Sequence, residues 1–395
     1  MNRQLQILYI NLGDIGTYSY DKQAGRILGW AKQGNSVNLL VSELGRKTAS
    51  EEIINKDPVH ARLLTLPFSG KEANSAIKII FSYFLRVCCA PLILFKKLPT
   101  FDFAVSNSCF LVDIVPVFWL KIFKKCKGWV LIMDSIVPSP KEREGNFLIN
   151  LLAYSESIFL GKIANLFADL IFTVNPELKK EMIKRGIGEK KIIFSENGLF
   201  MEKINLVKNP KKKKYEAAYM GRISVNKGVF DLIEVWRELI KEKPKARLAI
   251  MGGGLEDVVE KLKKEIKKNE LEKNIEYLGF TSAPKKYQVL KNSRIFLYLS
   301  KVNADESWGI SLMEALACGV PAISYNLPIY EHIYKTKSLI RVECNKVKSV
   351  ITSLKFLLED EKTYALLSRG SVNFAKKFDW FKIAQKDLIK IRKTL

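Results

Sequence analysis

Short β-rich runs alternate with helical patterns along most of this chain, and that alternation limits the fold more than any other feature. Parallel strands can be joined only by a crossover, usually a helix, so repeated βα units build parallel sheets with helices on both faces. In the first half the strand-like runs are residues 6–11, 37–42, 62–67, 103–106, 130–134, 170–174 and 192–195. Helical spacing occupies 18–33, 74–95, 110–124, 147–167 and 177–185. A second series of strands runs through 217–221, 246–251, 275–278, 295–299, 320–324 and 339–342, again with helical patterns between. With 395 residues the chain is longer than one core usually grows, and 48% apolar content can fill two. The expected class is α/β, with two Rossmann-like doubly wound parallel-sheet domains in succession. A seam falls near 197–214, where the turn dipeptide Asn197-Gly198 is followed by Pro210 and the run Lys211–Lys214.

The segment Glu306-Ser-Trp-Gly-Ile-Ser-Leu-Met-Glu314, continuing into Ala-Leu-Ala-Cys-Gly-Val-Pro-Ala-Ile-Ser324, carries the most chemistry. Two carboxylates stand eight positions apart around a glycine that opens an apolar helix. The N–H groups of Gly309, Ile310 and Ser311 would lie between them, unpaired, at the positive end of the helix dipole. This suits a ligand with phosphate in its middle and hydroxyls at both ends, such as a nucleoside diphosphate sugar. Glu314 sits among apolar neighbours, where a merely solvated role is hard to defend.

This block resembles the Glu-x7-Glu signature of retaining glycosyltransferases of the GT-B fold, family 4 (glycosyl transferases group 1). The loop Gly221-Arg-Ile-Ser-Val-Asn-Lys-Gly228 resembles that family's glycine-Arg…Lys-Gly loop, and Met251-Gly-Gly-Gly-Leu255 and Tyr277-Leu-Gly-Phe280 fall where its later glycine turns occur. Residues 215–330 match continuously, whereas the N-terminal half matches in outline. The resemblance implies two domains facing a cleft: residues 1–200 for the acceptor and 201–378 for the donor, with a last helix, 379–395, packing back on the first. It implies a retaining transfer from a UDP- or GDP-linked sugar to a glycan or lipid-linked acceptor hydroxyl, in cell-surface glycan or glycolipid synthesis. Arg222 and Lys227 would hold the departing diphosphate, Arg by two oxygens at once and Lys as a point charge. Glu314 would accept the ribose hydroxyls and Glu306 would orient the donor sugar. Gly221 opens the phosphate loop, and Phe280 matches the base-binding turn, although a core aromatic would fit there equally well. Ser307 and Trp308 depart from the usual glycine and phenylalanine.

On the acceptor side the family commonly has a glycine-rich loop after the first strand. Here that stretch reads Asn11-Leu-Gly-Asp-Ile-Gly16, so Gly13 and Gly16 would place backbone amides near the reacting phosphate. Where the family often has a cleft histidine followed by aspartate, this chain has Met133 and Asp134, leaving Asp134 to orient the acceptor hydroxyl. Front-face attack, with the leaving phosphate oxygen taking the acceptor's proton, needs no protein nucleophile. No Ser-His-Asp or Cys-His constellation and no Asp-x-Asp motif occurs, so no cofactor and no metal are expected.

The net charge of +24 calls for a partner. Lysines interleaved with glutamates, as in 260–268, read as a solvated face, while an anionic membrane surface is the other candidate. Nucleic acid is disfavoured because no recognised binding pattern accompanies the charge. The stretches 76–95 and 109–123 are apolar but interrupted, by Lys78, Arg86 and Pro91 in one and Asp113 in the other. They read as packed helices or a membrane-facing surface rather than spans. Six cysteines show no CxxC spacing, which fits buried thiols in a reducing compartment. Met1-Asn-Arg-Gln-Leu leads into a strand without an apolar leader, so the expected place is cytoplasmic, or peripheral on the inner face of the cell membrane. Two competing readings remain open: a sugar-nucleotide epimerase or hydrolase of the same fold, and a basic membrane-peripheral binding protein with a vestigial donor site.

Overall fold

The structure is a computed structural model. It describes every residue except 1, 2, 14–20, 58, 67–75, 96, 97, 135, 136, 138, 142–145, 304 and 305. The chain divides into two compact units, Met1–Gly198 with Trp380–Leu395, and Leu199–Asp379.

The first unit is built on β1 (Gln6–Asn11), β2 (Ser36–Ser42), β3 (Ala61–Leu66), β4 (Phe101–Ser106), β5 (Cys126–Met133), β6 (Leu170–Thr173) and β7 (Ile192–Phe194). They form one parallel sheet in the order β3-β2-β1-β4-β5-β6-β7. The second unit holds β8 (Tyr215–Met220), β9 (Leu248–Met251), β10 (Ile275–Tyr277), β11 (Ser293–Tyr298), β12 (Ala322–Tyr325) and β13 (Leu339–Val342), in the order β10-β9-β8-β11-β12-β13. Both sheets are doubly wound, and every expected strand is present within a few residues. The central strands are buried on both faces, as their near-continuous apolar runs require: Ile7–Ile10 and Ala217–Tyr219 are inaccessible to solvent.

In each unit the strand order reverses beside the first strand, between β1 and β4 and again between β8 and β11. At such a switch point the following loops diverge and leave a crevice at the carboxyl ends of the strands, where ligands bind in this class of sheet.

The last helix, Trp380–Thr394, belongs to the first unit and packs on the helix Asp21–Ala31. Glycines make room for it. A Cβ on Gly25 would lie 2.2 Å from the Trp380 ring, and one on Gly29 would lie 2.4 Å from Ala384. Buried Arg26 donates to Asp387 Oδ2 (3.3 Å) and Ser195 Oγ (3.1 Å), fastening the helix with charge as well as shape.

Two helices go beyond the sequence pattern. Residues 74–95 resolve into Ala76–Cys89 and a 3-10 stretch, Ala90–Phe95, because Pro91 cannot continue an α-helical hydrogen-bond ladder. The helix Phe147–Phe167, expected from its helical spacing, is by length and composition long and apolar enough to cross a membrane. Phe147, Leu148, Phe159 and Leu166 on it are more than half exposed.

Candidate active site

The second unit's switch point is formed by two loops that are tied together. The loop after β8 starts at Gly221 and ends at Gly228, whose φ of +67° only glycine adopts freely. A side chain there would meet the Leu299 carbonyl at 2.1 Å, so glycine lets this loop lie against the one after β11. Lys301 N–H then donates to Asn226 O at 2.8 Å. On the other side the triplet Gly252-Gly253-Gly254 supports the same loop. Ile223 bridges Gly254, and a Cβ on Gly252 would lie 1.7 Å from Gly221 O. The glycine triplet therefore serves backbone approach rather than a turn alone.

These ties bring Lys227 and Glu306 together although 79 residues separate them. Lys227 Nζ lies 2.5 Å from Glu306 Oε1, with the side chains 9% and 3% exposed. Glu306 Oε2 accepts from Tyr298 Oη at 3.1 Å. Burial, with Glu306 nearby, pushes the Tyr298, Tyr330 and Tyr334 hydroxyls well above the usual phenol range.

Three residues beyond Glu306, Gly309 adopts φ +71° and caps the helix Ile310–Ala317. Tyr334 Oη holds this corner, 2.7 Å from Trp308 O and 2.9 Å from Gly309 O. The N–H groups of Ile310 and Ser311 lie in the first turn, where an α-helix offers them no internal acceptor. Glu314, on the next turn, is 5% exposed. Its Oε1 accepts from Tyr287 Oη (2.9 Å) and Lys286 Nζ (2.7 Å), so both bonds fall on one oxygen.

Of the residues singled out from sequence, Gly221, Lys227, Glu306, Gly309, Ile310, Ser311 and Glu314 thus cluster at one crevice. Arg222 lies on the same loop with an exposed side chain, its backbone carbonyl held by Tyr219 Oη at 2.7 Å. Phe280 follows Gly279 (φ +65°) and is 69% exposed, which removes the core-aromatic alternative. Lys286, Tyr287 and Tyr298 were not anticipated. They arrive from β11 and from a helix before it, and no local motif marks them.

In the first unit, Gly13 follows β1 at the other switch point. Asp113 Oδ1 accepts from Leu12 N–H (2.7 Å), and Arg86 donates to Leu12 O (2.9 Å). Asp113 and Arg86 are each 1% exposed, so the charges that argue against membrane spans in sequence are buried supports for this loop. Gly16 lies outside the described residues. Asp134 directly follows β5 and lends its charge to buried Arg26. Burial alone would lower that guanidinium's pKa, but the Asp134 and Asp387 charges turn the shift upward. Among the described residues, no three His, Cys, Asp or Glu side chains gather in a way that could hold a metal ion.

Comparison with known proteins covers the second unit most specifically. Residues 201–371 match the family model of glycosyl transferases group 1. That segment is similar to the group 1 glycosyl transferases over 171 residues, less than half of the chain. The chain is similar to the poly(glycerol-phosphate) alpha-glucosyltransferase of Bacillus subtilis strain 168, at 27% identity over 218 residues, or 53% of this chain and 30% of that protein. It is also 27% identical over 303 residues to an uncharacterised glycosyltransferase of Methanocaldococcus jannaschii, covering 72% of this chain and 66% of the other. The chain thus spans less than two thirds of the length of these relatives. Among solved structures, Anabaena HepE in complex with UDP and glucose superposes with a TM-score of 0.73 at 17% identity, covering 99% of this chain and 100% of that one. The two doubly wound units therefore constitute a GT-B fold, and the segment similar to the group 1 glycosyl transferases lies in the second unit.

Proposed function

We propose that this protein transfers a sugar from a UDP- or GDP-linked donor to a hydroxyl of a glycan or lipid-linked acceptor, with retention of anomeric configuration. The observation carrying this reading is the buried Lys227–Glu306 pair beside the Gly309 helix start. In the family-implied roles, the diphosphate meets Arg222, Lys227 and the Ile310 and Ser311 amides. Negative charge develops on it as the sugar C1–O bond breaks, and fixed donors aimed at that charge lower the barrier. The acceptor oxygen bonds to C1 on the face the phosphate leaves, and its proton passes to the leaving phosphate oxygen. Glu306 orients sugar hydroxyls, and Glu314 offers Oε2 to the ribose diol, since Oε1 is already twice engaged. HepE was solved with UDP, and the Bacillus relative is named for a glucosyl transfer, which supports a sugar-nucleotide donor. No step calls for a metal. Incubating the protein with a panel of UDP- and GDP-sugars and candidate acceptors tests the assignment. Retained anomers in the product support it, and no turnover of any donor sinks it. Consumption of donor without acceptor would instead indicate hydrolysis or epimerisation.

The acceptor side is proposed to work at an anionic membrane, from the cytoplasmic face. Phe147, Leu148, Phe159 and Leu166 are exposed on one helix and Ile77, Phe81 and Phe123 on or just after two others, and the Phe118 and Phe167 rings meet at 5.4 Å. Lys78, Lys124, Lys125 and Lys162 are exposed on or just after the same helices. A lysine near anionic lipid contributes about 1 kcal/mol, and the apolar side chains can seat at the headgroup boundary. Co-sedimentation with anionic vesicles that fails at high salt supports this placement, whereas equal binding to neutral vesicles opposes it.

A further inference from the structure

The second unit contains another pocket, at the opposite end of the Ile310–Ala317 helix from Gly309. Its volume is about 780 Å³, and Ala317, Cys318 and Gly319 form part of its wall. At 1.5 Å per residue, the eight-residue helix sets the two sites about 12 Å apart. A cavity of this size suits a small-molecule ligand, for which about 300–1,000 Å³ is usual.

Its charge is one-sided. Lys213, Lys291 and Arg369 line it, and among the described residues no Asp or Glu does. Lys291 is 7% exposed, and the acceptor of its ammonium is the Val207 carbonyl. Lys213 Nζ donates to two carbonyls, Lys291 O (3.0 Å) and Ser293 O (2.8 Å). Among the described residues, neither lysine nor Arg369 forms an ion pair. The unit's other inward lysines differ: Lys227 faces Glu306, Lys286 faces Glu314 and Lys301 faces Asp231. Carbonyl dipoles satisfy N–H groups but leave the net charge uncompensated, and a buried charge without a counter-charge is costly. Burial and the nearby Arg294 push the Lys213 ammonium down to about 8. The side chains of Asn205, Asn209 and Asn373 add neutral donors and acceptors around the cations.

We infer that this pocket binds a phosphate-bearing small molecule, its oxygens on Lys213, Lys291 and Arg369 and its hydroxyl-bearing body among the asparagines. Phosphate fits better than a single carboxylate because it offers several acceptor oxygens to three separate cations. The alternative is that the carbonyls are sufficient partners and the pocket binds no anion.

Calorimetric titration of the full chain with inorganic phosphate and with glucose 6-phosphate, each with and without saturating UDP or GDP, separates the two. The pocket predicts saturable binding that persists with the nucleotide present and tightens when phosphate carries a hydroxylated body. Arg369→Ala, on the exposed rim, and Lys291→Met should each weaken it at least about tenfold, the loss of one charge-assisted bond. Arg222→Ala should leave it unchanged. Equal affinity in wild type, Arg369→Ala and Lys291→Met overturns the inference, as does binding abolished by UDP or GDP. Because the titration reads binding and not sugar transfer, failure of the donor assignment leaves this result standing, and the reverse holds too.

Discussion

Replacing Lys227 with Met tests two properties of one contact. At 2.5 Å the Lys227–Glu306 attraction is about 7 kcal/mol at an effective dielectric of 20, but desolvation of both ions offsets several kcal/mol each. The net worth of the pair is therefore small. Removing one partner is different, because Glu306, 3% exposed on its side chain, would be left with Tyr298 as its side-chain hydrogen-bond partner. Such breaks typically cost about 3–5 kcal/mol. We expect Lys227→Met and Glu306→Gln each to destabilise the second unit on that scale, and the double variant to lose much less than their sum. A coupling of about 2–3 kcal/mol should appear in urea melts of the four proteins. Turnover should behave otherwise: each single change lowers it on the order of 10²–10³, and the double variant recovers none of it. Additive stabilities would refute the pair as an energetic unit. Recovered turnover in the double variant would refute Lys227 as a contact to the leaving phosphate.

Further outcomes follow from the same geometry. Glu314→Ala should mainly weaken donor binding and Arg222→Ala mainly lower kcat, and unchanged steady-state kinetics in both would remove those roles. Gly252→Ala should destabilise by more than about 2 kcal/mol and weaken donor binding, since its Cβ would lie 1.7 Å from Gly221 O, whereas Gly253→Ala meets nothing within 4 Å and should be nearly neutral in chemical denaturation. Lys213, held near 8 in the fold against an ordinary value of 10.5, releases its proton earlier when folded, so across that window the unfolded chain binds more protons. Its contribution to stability should therefore rise with pH from about 8 to 10.5; a Lys213→Met variant should flatten that rise in melts, and an NMR midpoint at the ordinary lysine value would contradict it.

The fold was legible because parallel sheets advertise themselves in alternating apolar runs, and the positions of Gly221, Gly228 and Gly309 follow from backbone demands visible in sequence. The Glu306 and Lys227 motifs were legible one at a time. Their pairing was not, because it depends on β11 lying beside β8 in the sheet. Lys286 and Tyr287 escaped notice for the same reason: they reach Glu314 by packing one helix against another. The glycine triplet at 252–254 could in sequence approach a phosphate or only make a tight strand-to-helix turn; in the fold Gly252 and Gly254 lie against Gly221 and Ile223, a contact set by the sheet. Asp113 and Arg86 read as interruptions of apolar stretches, and burial reverses their meaning, since a buried charge in a loop-supporting network is positioned rather than solvated.

The central claim is that the second unit holds a nucleoside diphosphate at the Gly309 helix start. A crystal structure with bound UDP or GDP tests it most directly. The account predicts diphosphate oxygens within hydrogen-bonding reach of Lys227, Arg222 and the Ile310 and Ser311 amides, with the ribose on Glu314. A nucleotide seated elsewhere, or an intact Lys227–Glu306 pair with the crevice empty at saturating ligand, would contradict it.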